Sequence, residues 1–365
     1  MKLLFLIGGL AGGGAERVMA TVMNGLVTQG HTIRVVYTQS LKKPVYDIDS
    51  RIEQVYLAKT RPPVTNGLFN KLHRRIWLYP AIRHEAKRFA PDFAISFIKT
   101  HNNDVLFSLL GTGIKVIVGD HTNIKRKYKL RTRILSTLLY PTTAGITMLT
   151  MCDYNVWKKK YKQTFYIPNP CDFIDVPKNI KREKTILAVG RVYQWNIKGF
   201  DNLIKAWGNI KDKYPEWKCQ IAGTYDDKAL TSLKYATDPI AFDSVSFLGF
   251  RSDIKDILSH SEVFCLSSRF EGMPMALLEA MNAGCACVAF DCVTGPSEII
   301  KDGETGLLVK DQDVKDLTEK LEQIINDVKL RELFHNNAAK SVARFSTENI
   351  IVMWNEMFNK IASKH

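Results

Sequence analysis

The sequence lacks an apolar run approaching the ~18–20 residues that a membrane-spanning helix requires, although 45% of its 365 residues are hydrophobic. This absence excludes a bilayer-crossing helix in these residues, and the length predicts two domains of ordinary size. The apolar start at 3–7 runs directly into a glycine-rich segment. It therefore indicates a first buried strand better than it indicates a signal peptide.

Recognisable disulfide and metal-ligand patterns are also missing. The seven cysteines are odd in number and scattered, and the spacing of Cys285 and Cys287, one residue apart, is unsuited to a zinc knuckle. We therefore expect free thiols in a reducing cytoplasm. An Asp-x-Asp sequence occurs at Asp47-Ile48-Asp49, but it lies in a linker. We expect no catalytic divalent metal and no cofactor.

Acidic residues are scarce in one half of the chain. Residues 1–172 hold 26 Lys and Arg against 10 Asp and Glu, whereas residues 173–365 hold 25 against 27. The whole positive excess therefore belongs to the first half. A one-sided basic surface predicts an anionic partner, which could be nucleic acid, anionic lipid or a phosphorylated substrate.

Short apolar runs alternate with helical patterns along the whole chain. Strands are predicted at 3–7, 33–37, 93–97, 116–118, 145–149, 185–189, 218–222, 246–248, 263–266 and 286–290, with helices at 15–29 and about 199–213. Such alternation is typical of an α/β protein with two open parallel sheets, each covered by helices on both faces. We place the domain boundary near Pro170 and a separate C-terminal helix at 346–365.

The segment from Glu271 to Glu279 is the most informative stretch. Two carboxylates frame a turn that contains Gly272, Met273 and Pro274, and an apolar helix pattern follows. Proline suits the first turn of a helix, and the helix N-terminus offers backbone amides to an anion. An anion cradle beside two hydroxyl-binding carboxylates suits a sugar that is bound to a phosphate.

This Glu-x7-Glu segment with Gly-Met-Pro inside it resembles the nucleotide-sugar motif of the retaining glycosyltransferases of family GT4. The resemblance implies the GT-B fold, in which two Rossmann-like domains face each other across a cleft. The acceptor-binding domain would be 1–170, the donor-binding domain 171–345, and the helix 346–365 would cross back to the first domain. Glu271 would bind the donor sugar and Glu279 the ribose, while the backbone of 272–275, ending at Met275, would line the diphosphate.

Three further segments of the second half carry the resemblance. Gly190-Arg191 and Lys198-Gly199 are similar to the family's diphosphate clamp, since two cations on one loop can neutralise a diphosphate. Gly249 and Arg251 lie in a segment that resembles the one whose backbone reads the nucleobase. Because Arg191 and Lys198 would stabilise the leaving diphosphate electrostatically, they would take the place of a metal.

The first half adds a glycine-rich loop and two histidines. Gly13 and Gly14 follow the first strand and open a helix, while the Gly-x-Gly-x-x-Gly pattern of dinucleotide folds is absent. The segment through Glu16 and Arg17 is similar to the GT4 loop that lies against donor phosphate and acceptor. By the same resemblance, His121 would touch the donor sugar, and His101 is a weaker candidate on the acceptor side.

Two basic segments, 71–79 and 124–140, interleave Lys and Arg with aliphatic and aromatic residues, a composition that suits an anionic membrane surface.

The resulting hypothesis is a retaining glycosyltransferase that transfers a sugar from a nucleotide-sugar donor, which we expect to be a UDP-sugar. The acceptor would be a glycan or a polyprenyl-linked molecule at the inner face of the cytoplasmic membrane. The candidate catalytic residues are His121, Arg191, Lys198 and Glu271. A nucleotide-sugar epimerase of the same fold is the alternative enzyme. A basic nucleic-acid-binding protein is the alternative from another class, although no helix-turn-helix, zinc or ribonucleoprotein motif supports it.

Overall fold

The computed structural model of the chain describes residues 1–10, 12–60, 69–121, 128–172 and 180–363. The chain divides into two compact units, which we call unit 1 (residues 1–170 and 347–365) and unit 2 (residues 171–346). Each unit is built on its own sheet of parallel strands. The predicted α/β class with two parallel sheets is therefore confirmed.

Within the described residues, the sheet of unit 1 has seven strands in the order β3-β2-β1-β4-β5-β6-β7. They are β1 (Lys2–Ile7), β2 (Thr32–Tyr37), β3 (Glu53–Tyr56), β4 (Phe93–Phe97), β5 (Lys115–Asp120), β6 (Gly145–Met148) and β7 (Thr164–Tyr166). The helices of this region are α1 (Gly14–Thr28), α2 (Phe69–Phe89), α3 (Lys99–Leu109), α4 (Leu130–Leu139) and α5 (Met151–Lys160). The inner strand β4 is buried at every residue, as expected for a strand covered on both faces.

In the described part of unit 2, six parallel strands lie in the order β10-β9-β8-β11-β12-β13. They are β8 (Glu183–Val189), β9 (Lys218–Ala222), β10 (Val245–Gly249), β11 (Ser261–Leu266), β12 (Ala286–Phe290) and β13 (Leu307–Val309). The helices are α6 (Trp195–Lys198), α7 (Phe200–Gly208), α8 (Asp227–Tyr235), α9 (Pro239–Asp243), α10 (Ile254–His260), α11 (Met275–Asn282), α12 (Pro296–Ile299), α13 (Val314–Asn326) and α14 (Val328–Val342). The strand order places β8 and β11 side by side at the centre of the sheet.

The C-terminal helix α15 (Thr347–Ala362) packs within unit 1. Its Ile351 lies against Gly25 of α1 so closely that a Cβ at Gly25 would come within 2.6 Å of Ile351 Cγ1. Farther along, Phe358 stacks on Phe93 with 5.1 Å between ring centroids. The apolar side of this helix therefore completes the core of unit 1.

Three strands were missed by the sequence patterns: β3, β7 and β13. Each is only three or four residues long and lies at the edge of its sheet. An edge strand pairs on one side only, so it needs no long apolar run. The predicted helix at about 199–213 was too long, because α7 ends at Gly208 and turns follow.

Candidate active site

The carboxyl edge of the sheet in unit 2 brings several predicted residues together. The segment after β8 carries Arg191 and Lys198, and the segment after β11 carries Glu271. Because β8 and β11 are adjacent and parallel, the segments that follow them emerge side by side. Ligands of open parallel sheets bind at this edge.

Lys198 and Glu271 contact each other directly. The Lys198 ammonium donates a hydrogen bond of 2.8 Å to Oε1 of Glu271, and the Ser268 hydroxyl donates to the same oxygen at 2.7 Å. The two charged side chains are 24% and 11% exposed, respectively. A cation and a carboxylate are thus held together at one point, so a phosphate near Lys198 and a sugar hydroxyl near Glu271 could be bound side by side.

A close backbone contact holds the two segments in this position. Gly199 has a left-handed φ of +63°, and a Cβ there would lie 1.8 Å from the carbonyl oxygen of Ser267. The Ser267 hydroxyl donates to the Lys198 carbonyl at 3.0 Å, and the Arg269 amide donates to the Ile197 carbonyl at 2.8 Å. Only glycine allows this approach, so the residue after Lys198 determines where Lys198 lies.

A second ion pair joins the same two segments and was missed by sequence reasoning. Both terminal nitrogens of Arg269 donate to the carboxylate of Asp201 at 2.7 Å, which is a bidentate arrangement. Asp201 is buried, and its hydrogen bonds raise the pKa of Arg269. The signal in the sequence was an arginine two residues before Glu271, in the same turn as the predicted anion site.

The turn that precedes α11 is packed against a second glycine-containing turn. The Thr294 hydroxyl donates to the Glu271 carbonyl at 3.1 Å. A Cβ at Gly295, whose φ is +108°, would lie 2.5 Å from the Gly272 carbonyl oxygen and 2.8 Å from Cδ of Pro274. The backbone of the predicted diphosphate-binding turn is therefore fixed from behind.

Pro274 does not lie in the first turn of the helix as predicted. It is the N-cap residue with an extended ψ of 104°, and α11 begins at Met275. Its carbonyl accepts the first hydrogen bonds of the helix, from the amides of Leu277 and Leu278. The helix therefore begins one residue after Pro274 rather than at it. Met273 is buried, and so is Glu279 within α11.

The remaining predicted residues of unit 2 lie at the ends of strands β8 and β10. The amide of Gly190 donates to the Ala222 carbonyl at 2.9 Å, and Arg191 follows it as the cap of a short 3-10 helix. Gly249 has a φ of +68°. The guanidinium of Arg251 binds Asp253 two residues farther on at the surface.

In unit 1, the glycine-rich turn binds a carboxylate from its own helix. Glu16 accepts hydrogen bonds from the amides of Gly12 and Gly13 at 2.9 and 3.1 Å. Gly13 is the N-cap of α1, and Gly14 begins the helix. Two amides of the loop that resembles a phosphate-facing loop, those of Gly12 and Gly13, thus bind Glu16 in this structure, an anion at a helix N-terminus. Arg17 lies next to it in the same turn of α1.

His121 is packed in an apolar setting directly after β5. Its ring lies on Phe97 with 4.1 Å between centroids, and a Cβ at Gly119 would come within 3.1 Å of Nε2. Within the described residues, its buried Nδ1 has no hydrogen-bond partner. Burial lowers the pKa of His121 to about 3. The ring is therefore neutral at pH 7 and could accept or donate a hydrogen bond without carrying charge.

The other predicted histidine is more deeply embedded. The ring nitrogens of His101 bond to the hydroxyls of Thr38 and Ser96, each at 2.9 Å, and the residue is buried. These bonds tie the start of α3 to the ends of β2 and β4. The packing accounts for His101 as a structural residue, and its acceptor-side role stays a prediction.

Sequence reasoning also missed a buried ion pair beside His121. Nζ of Lys99 lies 3.5 Å from Oδ2 of Asp120, and both side chains are largely buried. The same ammonium lies over the rings of Trp157 and Tyr128, at 4.8 and 5.0 Å from their centroids. This arrangement neutralises a cation at the N-terminus of α3, where a positive charge is otherwise unfavourable.

Every helix of the described residues is too short or too polar to cross a lipid bilayer. The same residues contain no group of three or more His, Cys, Asp or Glu placed to hold a metal ion. Within the described residues, the buried cysteines Cys219, Cys265, Cys285, Cys287 and Cys292 are free thiols.

Two family models together match almost the entire chain. Residues 12–172 match the model described as "Glycosyltransferase Family 4". Residues 172–341 match the one described as "Glycosyl transferases group 1". The change from one model to the other falls within two residues of the boundary between units 1 and 2.

Curated relatives and solved structures match over the full length. An uncharacterized glycosyltransferase of Haemophilus influenzae is 29% identical over 94% of this chain and 95% of its own. A Campylobacter jejuni α-1,4-N-acetyl-D-galactosaminyltransferase, whose name gives a diphospho-undecaprenol-linked GalNAc acceptor, is 26% identical over 99% of both chains. The crystal structure of TarM has a TM-score of 0.80 at 15% identity, covering 98% of each chain. Anabaena HepE in complex with UDP has 0.78 at 17% identity, covering 99% of this chain and 100% of its own. These likenesses confirm the predicted GT-B fold.

Proposed function

Because this chain belongs to the family 4, group 1 glycosyltransferases, we propose that it is a retaining enzyme that transfers a sugar from a UDP-sugar to a polyprenyl-diphosphate-linked or oligosaccharide acceptor. Its place would be polysaccharide or glycoconjugate biosynthesis. The single observation that carries the proposal is the contact between Lys198 and Glu271 at the carboxyl edge of unit 2. It joins a phosphate-binding cation to a sugar-binding carboxylate.

The chemistry follows from where charge develops. As the glycosidic bond of the donor breaks, the leaving nucleoside diphosphate gains negative charge. Lys198 and Arg191, both on the segment after β8, would stabilise that charge as preorganised cations. We therefore propose that no divalent metal takes part. Glu271, held by Lys198 and Ser268, would orient the hydroxyls of the donor sugar.

His121 fits the proposed role beside the donor sugar because it is neutral. A positive imidazole would repel the electron-poor sugar carbon that forms as the diphosphate leaves. The pKa of about 3 keeps the ring uncharged over the working range of an intracellular enzyme. A neutral ring in an apolar setting can bind a sugar hydroxyl without adding charge.

An exposed apolar face on helix α4 of unit 1 supports the proposal of a lipid-linked substrate at a membrane. Leu130, Ile134 and Leu138 recur every fourth residue along α4, so they lie on one face of that helix, and all three are exposed. Lys129, which precedes α4, and Arg131 within it are both exposed as well. We propose that this surface touches the anionic inner face of the cytoplasmic membrane.

The basic segments 71–79 and 124–140 include residues that are not part of the α4 surface. Residues 124–127 of the segment 124–140 lie outside the described residues, as do the side chains of 71–75 in the segment 71–79. Their part in membrane binding stays a prediction.

The test is donor-dependent release of nucleoside diphosphate from UDP-, GDP- and ADP-sugars, with and without bacterial membrane lipid extract and with and without EDTA. We expect release from one UDP-sugar that requires lipid, survives EDTA and is lost in Glu271→Ala. Glu319→Ala, at an exposed glutamate of α13, is the matched control and should behave as the wild type.

Other outcomes would redirect the proposal. Conversion of a UDP-sugar to its epimer without an acceptor would favour the epimerase. Loss of release in EDTA would refute the metal-independent chemistry. A protein that binds no nucleotide but binds RNA or DNA, with an affinity that falls steeply with salt, would favour the nucleic-acid-binding alternative.

A further inference from the structure

The first turn of α3 reaches sideways to the end of the neighbouring strand β5. Asn102 is fully buried, and its side-chain amide donates a hydrogen bond of 2.9 Å to the Gly119 carbonyl. Lys99, one turn earlier on the same helix, places its Nζ 3.5 Å from Oδ2 of Asp120. Two polar side chains of one helical turn therefore hold the last two residues of β5, and His121 follows directly.

The position of the His121 ring depends on this end of β5. A Cβ at Gly119 would lie 3.1 Å from Nε2 of His121 and 2.8 Å from Cδ1 of Phe97, so both rings pack close to the Gly119 backbone. In the part of the chain that the structure describes, the buried Nδ1 of His121 has no hydrogen-bond partner that could fix the ring instead. A shift of Gly119 would therefore pass to the imidazole through packing.

The turn that carries these polar side chains has a strained backbone. Ile98, the N-cap of α3, has a φ of +77° and a ψ of 113°. This conformation is an outlier for a β-branched residue, and such outliers persist only where the surrounding structure over-determines them. The Ile98 carbonyl accepts from the amides of His101 and Asn102, each at 2.9 Å. Since β4 ends one residue earlier, α3 starts without a linker and its first turn stays beside the paired ends of β4 and β5.

The next residue of α3 bonds to a different element. The side-chain amide of Asn103 donates to the Thr132 carbonyl at 3.2 Å, and its Oδ1 accepts from the Ser136 hydroxyl at 3.1 Å. Both partners belong to α4. Asn103 is buried like Asn102, so the two asparagines differ in the element that they hold rather than in their burial. Asn103 is therefore a matched control for Asn102.

We propose that Asn102 and Lys99 are positioning residues that hold His121 in place for the reaction. The inference rests on the proposed function, in which His121 lies beside the donor sugar. Neither side chain touches the substrate, because Asn102 fixes the Gly119 carbonyl and Lys99 fixes the Asp120 carboxylate. A misplacement of about 1 Å can lower a catalysed rate about 100-fold, so these two contacts matter for turnover rather than for nucleotide binding.

A double-mutant cycle on nucleoside diphosphate release tests whether Asn102 acts through His121. Asn102→Leu removes the hydrogen-bond donor but retains the volume of the side chain. It should lower kcat about tenfold or more, with the KM for the donor within about twofold of the wild type. In the His121→Ala background the same change should cost less than about twofold, since the residue that Asn102 positions is gone. Any loss caused by Asn103→Leu should be the same in both backgrounds.

Proton NMR of the histidine rings tests the geometry without an activity assay. The His121 ring lies 4.1 Å from Phe97 between centroids, so its protons should be shifted by the ring current of Phe97. In Asn102→Leu these resonances should move toward random-coil positions, whereas in Asn103→Leu they should stay where the wild type has them. The resonances of His335, which lies in α14 of unit 2, should be unchanged in both variants.

Lys99 gives a second route should Asn102→Leu fail to fold. Lys99→Met keeps the apolar stem, removes the charge that faces Asp120 and should shift the His121 resonances in the same direction. Lys99→Arg, which retains the charge, should restore them toward the wild-type positions.

Two results would overturn the inference while leaving the proposed function standing. One is a set of His121 resonances that stays at the wild-type positions in both Asn102→Leu and Lys99→Met. The other is a loss in kcat that Asn102→Leu shows in full in the His121→Ala background. A wild type that releases nucleoside diphosphate from none of the donors would instead refute the proposed function, and the NMR result would then decide by itself whether the two residues hold His121.

Discussion

Replacing Gly199 by alanine should disturb the candidate site through its backbone rather than through a lost side chain. The new Cβ would lie 1.8 Å from the carbonyl oxygen of Ser267, whereas Cβ atoms in proteins essentially never come within 3.0 Å of such an atom. The segments after β8 and β11 must therefore separate by more than an ångström. Since the Ser267 hydroxyl binds the Lys198 carbonyl, the separation would also pull Lys198 away from Glu271.

Gly303→Ala is the matched control for the free energy of unfolding that Gly199→Ala loses. Gly303 has a φ of +71°, close to the +63° of Gly199, but a Cβ there would meet nothing within 4 Å. Gly303→Ala therefore measures the cost of the left-handed backbone alone, about 1–2 kcal/mol. Gly199→Ala adds a backbone collision of the overpacking kind, about 1–3 kcal/mol. We expect Gly199→Ala to lower the free energy of unfolding by roughly 2–5 kcal/mol in total.

Urea denaturation followed by tryptophan fluorescence gives the two stabilities, and nucleoside diphosphate release gives the activity. Gly199→Ala should lose at least tenfold in release at a temperature where it is still folded, while Gly303→Ala should keep near wild-type release. If the two variants lose the same stability to within about 0.5 kcal/mol, or if Gly199→Ala stays fully active, the close approach does not determine the position of Lys198.

Three further predictions concern charges at the two sheet edges. The His121 ring should stay neutral between pH 5 and 8, because burial lowers its pKa from 6.5 in the unfolded chain to about 3 in the folded protein. The contribution of the neutral ring to the free energy of unfolding should be complete above pH 6.5 and should decline as the pH falls toward 3. An imidazole proton that titrates near pH 6.5 in NMR would contradict this prediction. Arg269→Lys should lower the free energy of unfolding by about 2 kcal/mol, since lysine cannot reproduce the bidentate contact with Asp201, and an unchanged urea midpoint would refute it. Glu16→Gln should weaken the hydrogen bonds from the amides of Gly12 and Gly13 and so lower the free energy of unfolding by about 1 kcal/mol. The melting temperature should fall with it, and a rise in melting temperature would show that the carboxylate strains the turn.

Much of the architecture was readable from the sequence because strand and helix patterns are local. The inner strands are nearly continuous apolar runs, and β4 and β12 were predicted with the ends they have in the structure. Alternation with helical patterns then leaves a parallel α/β arrangement as the consistent solution. The edge strands β3, β7 and β13 were missed for the complementary reason, since each is three or four residues long and pairs on one side only.

The candidate residues were also readable, but only as separate groups. A carboxylate, a glycine and a proline in one short turn indicate an anion site. This pattern is local, so it can be recognised without knowing which segments pack against the turn. The bonds from Gly12 and Gly13 to Glu16 are equally local, spanning four residues or fewer. They show that a side chain of the protein can bind the amides of a turn that the sequence also predicts to bind a ligand, and the ligand role stays a prediction.

The sequence by itself determined the class of fold, the order of its elements and the turns where charged side chains would gather. The tertiary structure decided which of those side chains meet: Lys198 reaches Glu271 across 73 positions, and Arg269 reaches Asp201 across 68. Such pairs depend on strand order and on one close backbone approach at Gly199. Both are properties of packing, because distances between remote residues are fixed only when the neighbouring strands are in place.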